Sequence, residues 1–389
     1  MDDDRRMTRR PEDWDGCPVT RGPDGVWHVR GLPEARALLR SGDTVQAGLG
    51  VETVEMLPKR VRRPVLYRDG PEHREQRRQT ARYFTPRRVD GQYRDVATRV
   101  ADAQLAKLRA SGSADLSELA FHLSIGVTCA VIGLTHSRPG IRRRLESFFP
   151  ERFGTPGLTT PRGLYWTVRQ GVNWLRIYVS DVRPAVRARR RAGADDLITH
   201  LVGQGRTTAE ILGECLTFAA AGMITTREFV NAAAWHLFSD DALRARYRAA
   251  DEPERLALLH EILRLEPVVN LLRRRTTAPV ALPGATVPAG AVVEVHVDHA
   301  NTDPRAVGDA PTGLCPARPL AHGAEPYALS FGDGAHKCPG APIAILETDV
   351  FLTRLLALPG VRMTSPPTVR PLDAIGGYEL RGLTVAVAP

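Results

Sequence analysis

Lysine is almost missing from this 389-residue chain. Lys59, Lys107 and Lys337 are the only three, so arginine carries nearly all of the 53 basic side chains behind a net charge of +9. The arginines are dispersed, with local runs at Arg142-Arg143-Arg144 and Arg187 to Arg191. No nucleic-acid-binding motif accompanies them, so the charge reads as solvated helix faces and no nucleic-acid partner is expected. Long apolar runs are also missing, and nothing approaches the roughly 20 residues needed to span a membrane. The start, Met1-Asp2-Asp3-Asp4-Arg5-Arg6, lacks the apolar core of a secretion signal. Cysteine is sparse and odd in number: Cys17, Cys129, Cys215, Cys315 and Cys338. No pair has zinc-ligand spacing, which points to free thiols in a reducing cytoplasm. There is no internal repeat and no linker that would divide the chain.

What is present is an ordinary globular composition, 43% hydrophobic and 25% charged, in a chain long enough to enclose a deep core and a buried cofactor. Residues 1–16 are charged and are expected to form a mobile tail, with 17–389 a single domain. Weak alternation predicts a strand at Val26–Val29, and a short helix follows at Pro33–Leu39. Asp43–Tyr67 reads as a long irregular loop. Helical periodicity dominates Pro71–Val89, Tyr93–Leu134 and Gly163–Val202. Thr207-Thr208-Ala209-Glu210 is a capping box that opens a long apolar helix through about Phe238. A helix over Glu254–Leu265 ends before Pro267. Strand-like pieces follow at Val280–Leu282, Val292–His296 and Leu383–Val387, with a proline-rich irregular stretch at Pro304–Pro319. The fold class is mainly α with a small β portion.

The most specific signal is Phe331-Gly332-Asp333-Gly334-Ala335-His336-Lys337-Cys338-Pro339-Gly340. One cysteine ends a glycine-punctuated loop, and the apolar helical pattern of Ala341–Leu355 follows. That places a thiolate at a helix N-terminus, where free N–H groups and the helix dipole favour negative charge. The glycines allow sharp turns and close backbone approach to a flat partner. Taken alone, the same residues also describe a buried structural cysteine in a turn.

The run resembles the haem-binding signature of the cytochrome P-450 family, in which the cysteine is the axial iron ligand. Other stretches match that family in the same order: Pro71 to Pro86, Asp195-Asp196-Leu197-Ile198, Ala220 to Glu228, Glu261-Ile262-Leu263-Arg264 and Ala300 to Pro304. The resemblance extends from about Trp14 to the C-terminus. It implies the family's triangular, mainly helical fold around haem b bound through iron to Cys338. It makes His73, Arg77, Arg274 and His336 ligands of the haem propionates, and it sets Ala221, Phe331 and Gly340 against the cofactor. Glu261 and Arg264 would lock the core to the irregular segment through Arg318. Thr225 falls where the family has a threonine that helps deliver protons during oxygen activation.

Two departures stand out. The family usually has an acid before that threonine, and here it is Ile224. Glu228, one turn on, could reach the same groove, or it pairs with an arginine elsewhere. Pro339 follows the cysteine where the family commonly has a backbone N–H; without that donor the thiolate should be electron-richer and the iron potential lower. Leu314 and Ile345 also replace a usual phenylalanine and arginine.

The implied activity is O2-dependent hydroxylation or epoxidation of a hydrophobic or aromatic small molecule in bacterial specialised metabolism. Electrons would come from a separate ferredoxin and ferredoxin reductase, with Lys337 one contact or simply an exposed lysine. Alternatives are oxidative aryl coupling or peroxide-driven oxidation, and a non-catalytic, partner-binding member. By family analogy the pocket draws on Asp43–Tyr67, Phe148–Trp174, Phe218–Thr225, Val269–Leu272 and Asp373–Tyr378, contributing Tyr165, Trp166, Trp174, Met223 and Tyr378.

Overall fold

The computed structural model describes Met7, Val54, Gly157 and residues 16–51, 62–149, 159–321, 323–373 and 375–388. Most of the tail at 1–16 and much of the 43–67 loop therefore lie outside the described residues.

The central element is the helix Thr208–Ser239. At 1.5 Å per residue its 32 residues run about 48 Å. Its start is the expected capping box: Glu210 N–H donates to Thr207 Oγ1 at 3.2 Å, and Thr207 N–H donates to Glu210 Oε2 at 2.9 Å. Apolar residues surround it on most sides, so it can be stable only when buried. It packs on the helix Leu116–Ile132. A Cβ on Gly222 would lie 2.7 Å from Thr128 Oγ1, so the absent side chain allows the two helices to approach. Gly222 thus serves helix packing rather than room for a cofactor. Helices Arg94–Ser111 and Ala341–Leu356 complete the largest apolar cluster.

A five-stranded sheet lies to one side, in the order Val19–Arg21, Trp27–Val29, Val292–His296, Leu271–Thr276, Thr44–Ala47. Trp27–Val29 runs parallel to Val292–His296, and the other pairs are antiparallel. Val29, Val293 and Val295 face a third cluster with the helix Leu32–Arg40, while His28, Glu294 and His296 alternate onto the other face. The strand Leu271–Thr276 escapes the sequence reading because its three consecutive arginines break the alternation. The hairpin Thr368–Leu372/Gly377–Arg381 escapes it as well.

The segment after Pro304 has little regular structure, so its backbone carbonyls need other donors. Two arginines provide them. Arg264, fully buried, donates Nε and Nη2 to Glu261 at 2.8 and 2.7 Å, and its Nη1 to the carbonyls of Asn301 and Pro311. Arg318 Nε donates to Glu261 Oε1 at 3.0 Å, and its Nη groups reach the carbonyls of Val307, Asp309, Ala310 and Gly313. The lock expected between Glu261, Arg264 and Arg318 is therefore present.

Of the expected pocket aromatics, Tyr165 (61% exposed) and Trp174 (40%) lie on the helix Pro161–Ile177 with the exposed Leu164, Val168 and Leu175, and Trp174 stands edge-on to Phe148. Met223 is fully buried in a side cluster, and the Tyr378 hydroxyl donates to the Glu266 carbonyl.

Removing Arg264 leaves Glu261 buried beside Arg318 alone and several carbonyls without donors. Arg264→Ala should destabilise the protein by about 3–5 kcal/mol in urea unfolding, with Arg264→Lys recovering only part of the loss. A loss below about 1 kcal/mol would contradict a central role for this lock.

Candidate active site

The cysteine loop is shaped by glycine and pinned by charge. Gly332 and Gly334 adopt φ of +69° and +67°. A Cβ on Gly334 would meet the Leu39 carbonyl oxygen at 2.1 Å, so only glycine lets the loop lie against the helix Leu32–Arg40. Asp333 accepts from Gly334 N–H at 2.7 Å and pairs with Arg36 and Arg40 of that helix. Cys338 N–H donates to the Phe331 carbonyl at 2.8 Å and closes the loop. Phe331 stands edge-on to Tyr327, with centroids 4.9 Å apart.

Cys338 is an exposed residue, yet burial pushes its thiol pKa up. Its exposed face therefore opens onto interior space. The Gly340 amide, the Arg77 guanidinium and the Ala341 amide pull in the opposite direction and favour the thiolate. Pro339 does remove one donor, but the next two residues supply theirs at the helix start. Lys337 is tied down: its Nζ pairs with Glu325 at 2.5 Å and lies over the Tyr327 ring.

Four predicted basic residues form one cluster. His73 is buried and stacks on His336 with centroids 4.2 Å apart. His336 Nε2 lies 2.9 Å from Asp69 Oδ1. Burial, with His336 and Arg77 nearby, pushes His73 down to about 4, and its Nδ1 has no hydrogen-bond partner among the described residues. Arg77 donates to the Lys337 carbonyl, and Arg274 Nη1 donates to Gln46 Oε1 at 2.6 Å and to the Arg273 carbonyl. Burial pushes Arg274 down to about 10. Among the described residues no carboxylate forms an ion pair with either arginine. A cavity of about 510 Å³ adjoins the cluster, lined by Gln46 and Asp69 together with Val51, Tyr67, Arg63 and Arg68.

On the central helix, Ala221 is exposed although Ala219 and Met223 beside it are buried, which marks interior space there also. Thr225 Oγ1 donates to the Ala221 carbonyl at 2.5 Å. Glu228 is not part of this face. Its carboxylate pairs with Arg227 and Arg381 at 2.8 Å each and accepts from Leu380 N–H, so it anchors the C-terminal hairpin. The arginine-pairing alternative describes Glu228, and a relay role for it would require breaking these bonds.

Sequence reasoning missed a different acid. Glu347, on the helix after Cys338, is fully enclosed; burial pushes its pKa up to about 8, opposed by a hydrogen bond from the Thr226 hydroxyl. Its Oε2 has no hydrogen-bond partner among the described residues. Thr226 follows Thr225 directly, so a carboxylic acid that holds its proton at neutral pH sits one residue behind the threonine face. No local pattern marks Glu347, because it falls within an apolar helical run.

The site fits haem. It offers an inward-facing sulfur with two amide donors, one buried and one half-buried arginine that pair with no carboxylate among the described residues, a buried histidine nitrogen, and a small residue opening the central helix. These are the features that an iron ligand, two propionates and a flat ring require.

A family model described as Cytochrome P450 matches residues 256–366. The chain is 30% identical to erythromycin C-12 hydroxylase of Saccharopolyspora erythraea over 364 residues, covering 89% of this chain and 86% of that protein. It is 28% identical to mycinamicin IV hydroxylase/epoxidase of Micromonospora griseorubida, covering 88% and 84%. The structure of the cytochrome P450 enzyme CYP109B1 from Bacillus subtilis superposes with a TM-score of 0.77 at 20% identity, over 96% of each chain.

Glu347 gives a prediction with a defined sign. Its folded pKa lies above the unfolded value of about 4.3, so the stability of the neutral acid is complete below that pH and is lost as pH rises through 8. Between pH 5 and pH 9, Glu347→Gln should gain stability relative to wild type by up to about 4 kcal/mol in denaturant unfolding. A pH-independent difference would mean that Glu347 titrates as an ordinary surface acid.

Proposed function

This chain belongs to the cytochrome P450 family, and from that premise we propose that it is a monooxygenase tailoring a bulky, largely hydrophobic product of bacterial specialised metabolism. The observation that carries the reading is the cysteine pedestal: a loop whose glycines, Asp333 anchor and amide donors present Cys338 Sγ inward. The substrate class rests on the macrolide-hydroxylating relatives. Electrons come from a separate ferredoxin and its reductase, in the cytoplasm.

Each residue has a task that follows from its chemistry. Haem, when bound, supplies the iron chemistry that activates O2. Cys338 would ligate it as thiolate, an ionised form that the Gly340 and Ala341 amides and Arg77 favour against the opposing effect of burial. Arg77, Arg274, His73 and His336 would hold the propionates; the two arginines offer charge where burial makes an unpaired cation costly. Phe331 and Gly340 would bound the ring on the cysteine side and Ala221 on the other. Thr225 carries an exchangeable hydroxyl proton into the interior space. Ile224 gives no relay beside it, and Glu347 holds a proton behind it.

The missing acid at Ile224 favours a second reading, oxidative coupling of an aryl substrate without oxygen transfer. Both are tested with 18O2 in a reconstituted ferredoxin system, using macrolide and aromatic natural products that shift the haem spin state. One labelled oxygen per product is expected; an unlabelled coupled product selects the second reading. Cys338→Ser should abolish the red-shifted band of the reduced CO complex, and retention of that band would remove the basis of both.

Pro339 supports one further expectation. Pro339→Leu restores a backbone N–H beside the sulfur, so the iron potential should rise and the thiolate should donate less strongly. An unchanged potential in spectroelectrochemical titration would show that Pro339 only shapes the turn.

A further inference from the structure

Away from the cysteine loop, the polar face of the five-stranded sheet gathers metal-ligating side chains that the oxidation chemistry does not use. The parallel pairing of Trp27–Val29 with Val292–His296 places His28 directly opposite Glu294. His296 is two residues beyond Glu294, so the pleat returns it to the same face. His28 Nδ1 lies 3.0 Å from His296 Nε2 and 3.7 Å from Glu294 Oε2. These three ligand atoms all lie within 4.8 Å of one another.

We propose that His28, Glu294 and His296 form a binding site for a borderline divalent transition metal, zinc above all. Zinc held at about 2.0–2.2 Å by nitrogen and oxygen in a tetrahedron keeps its ligand atoms roughly 3.3–3.6 Å apart. The 3.0 and 3.7 Å separations bracket that spacing, so small rotations of two imidazoles and one carboxylate suffice. Two imidazoles and a carboxylate suit zinc and its neighbours, whereas magnesium and calcium prefer all-oxygen sets. The fourth position would hold water, since the three side chains are partly accessible.

The surroundings set the terms of binding. Burial, reinforced by Arg30, pushes His296 down to about 3, so this imidazole is already neutral at physiological pH. His28 and His296 share a hydrogen bond, and the metal would take the place of its proton, which moves to the other nitrogen of the same ring so that both imidazoles stay neutral. Arg273 Nε donates to Glu294 Oε1 at 2.8 Å, which leaves Oε2 turned toward His28. Arg30 and Arg273 oppose a cation, and Glu294 and Asp298 favour one. His299, ring to ring with His296 at 5.7 Å, is bound through Nδ1 to Asp298 and is the competing ligand. The ion would clamp residue 28 to residues 294 and 296, reinforcing the parallel pairing of Trp27–Val29 with Val292–His296 in the middle of the sheet.

The test is calorimetric titration of tag-free holoenzyme with zinc chloride, alongside thermal unfolding followed at the haem band. One zinc per chain and a raised Tm are expected, with magnesium chloride producing neither. His28→Gln, His296→Gln and Glu294→Gln should each weaken zinc binding at least tenfold with the haem spectrum retained, and His299→Gln should leave it within twofold. The Glu294→Gln variant keeps shape and size, so it reports on the site even if a histidine variant misfolds. The assignment is overturned if wild type takes up no zinc, if Glu294→Gln binds as tightly as wild type, or if His299→Gln abolishes binding.

Discussion

Keeping a sulfur ionisable inside a protein is the constraint around which this molecule is arranged. Burial alone disfavours the Cys338 thiolate. The opposing terms are local and directional: two amides at a helix start, and a guanidinium from a distant helix. They work only if the loop cannot move. Hence Gly334, pressed to within a Cβ's reach of the Leu39 carbonyl, and Asp333, paired to Arg36 and Arg40. The first helix, apparently remote from the chemistry, is the loop's footing.

The same logic recurs with opposite sign. Arg274 is buried and Arg77 half-buried, and among the described residues neither forms an ion pair with a carboxylate, a costly state unless an anionic group completes it. Arg264 is also buried, but it is complete, sharing Glu261 with Arg318 and saturating carbonyls of a segment that has almost no secondary structure. One arrangement is a structural hub and the other a receptor. The difference lies in whether the protein itself provides the counter-charge.

The central helix separates its tasks by face. Ala221 and Thr225, four apart, share the face toward interior space. Thr226 turns to the helix that follows Cys338 and meets Glu347. Glu228 turns to the C-terminal hairpin and holds Arg381. Three polar residues within four positions thus serve three different neighbours, and a shared-face argument for Thr225 and Glu228 could not tell which neighbour each would find.

The sequence alone determined the cysteine loop, the central helix with its cap and the Glu261–Arg264 pair, because each rests on residue type at short spacing. Leu271–Thr276 stayed hidden because its arginines find partners across strands, which no local alternation records. Only the tertiary structure decided that Glu228 is an anchor, that Glu347 is the enclosed acid near the threonine, and that His28 meets Glu294 and His296. Those outcomes depend on helix phase and strand register, which are set by packing between segments more than a hundred residues apart.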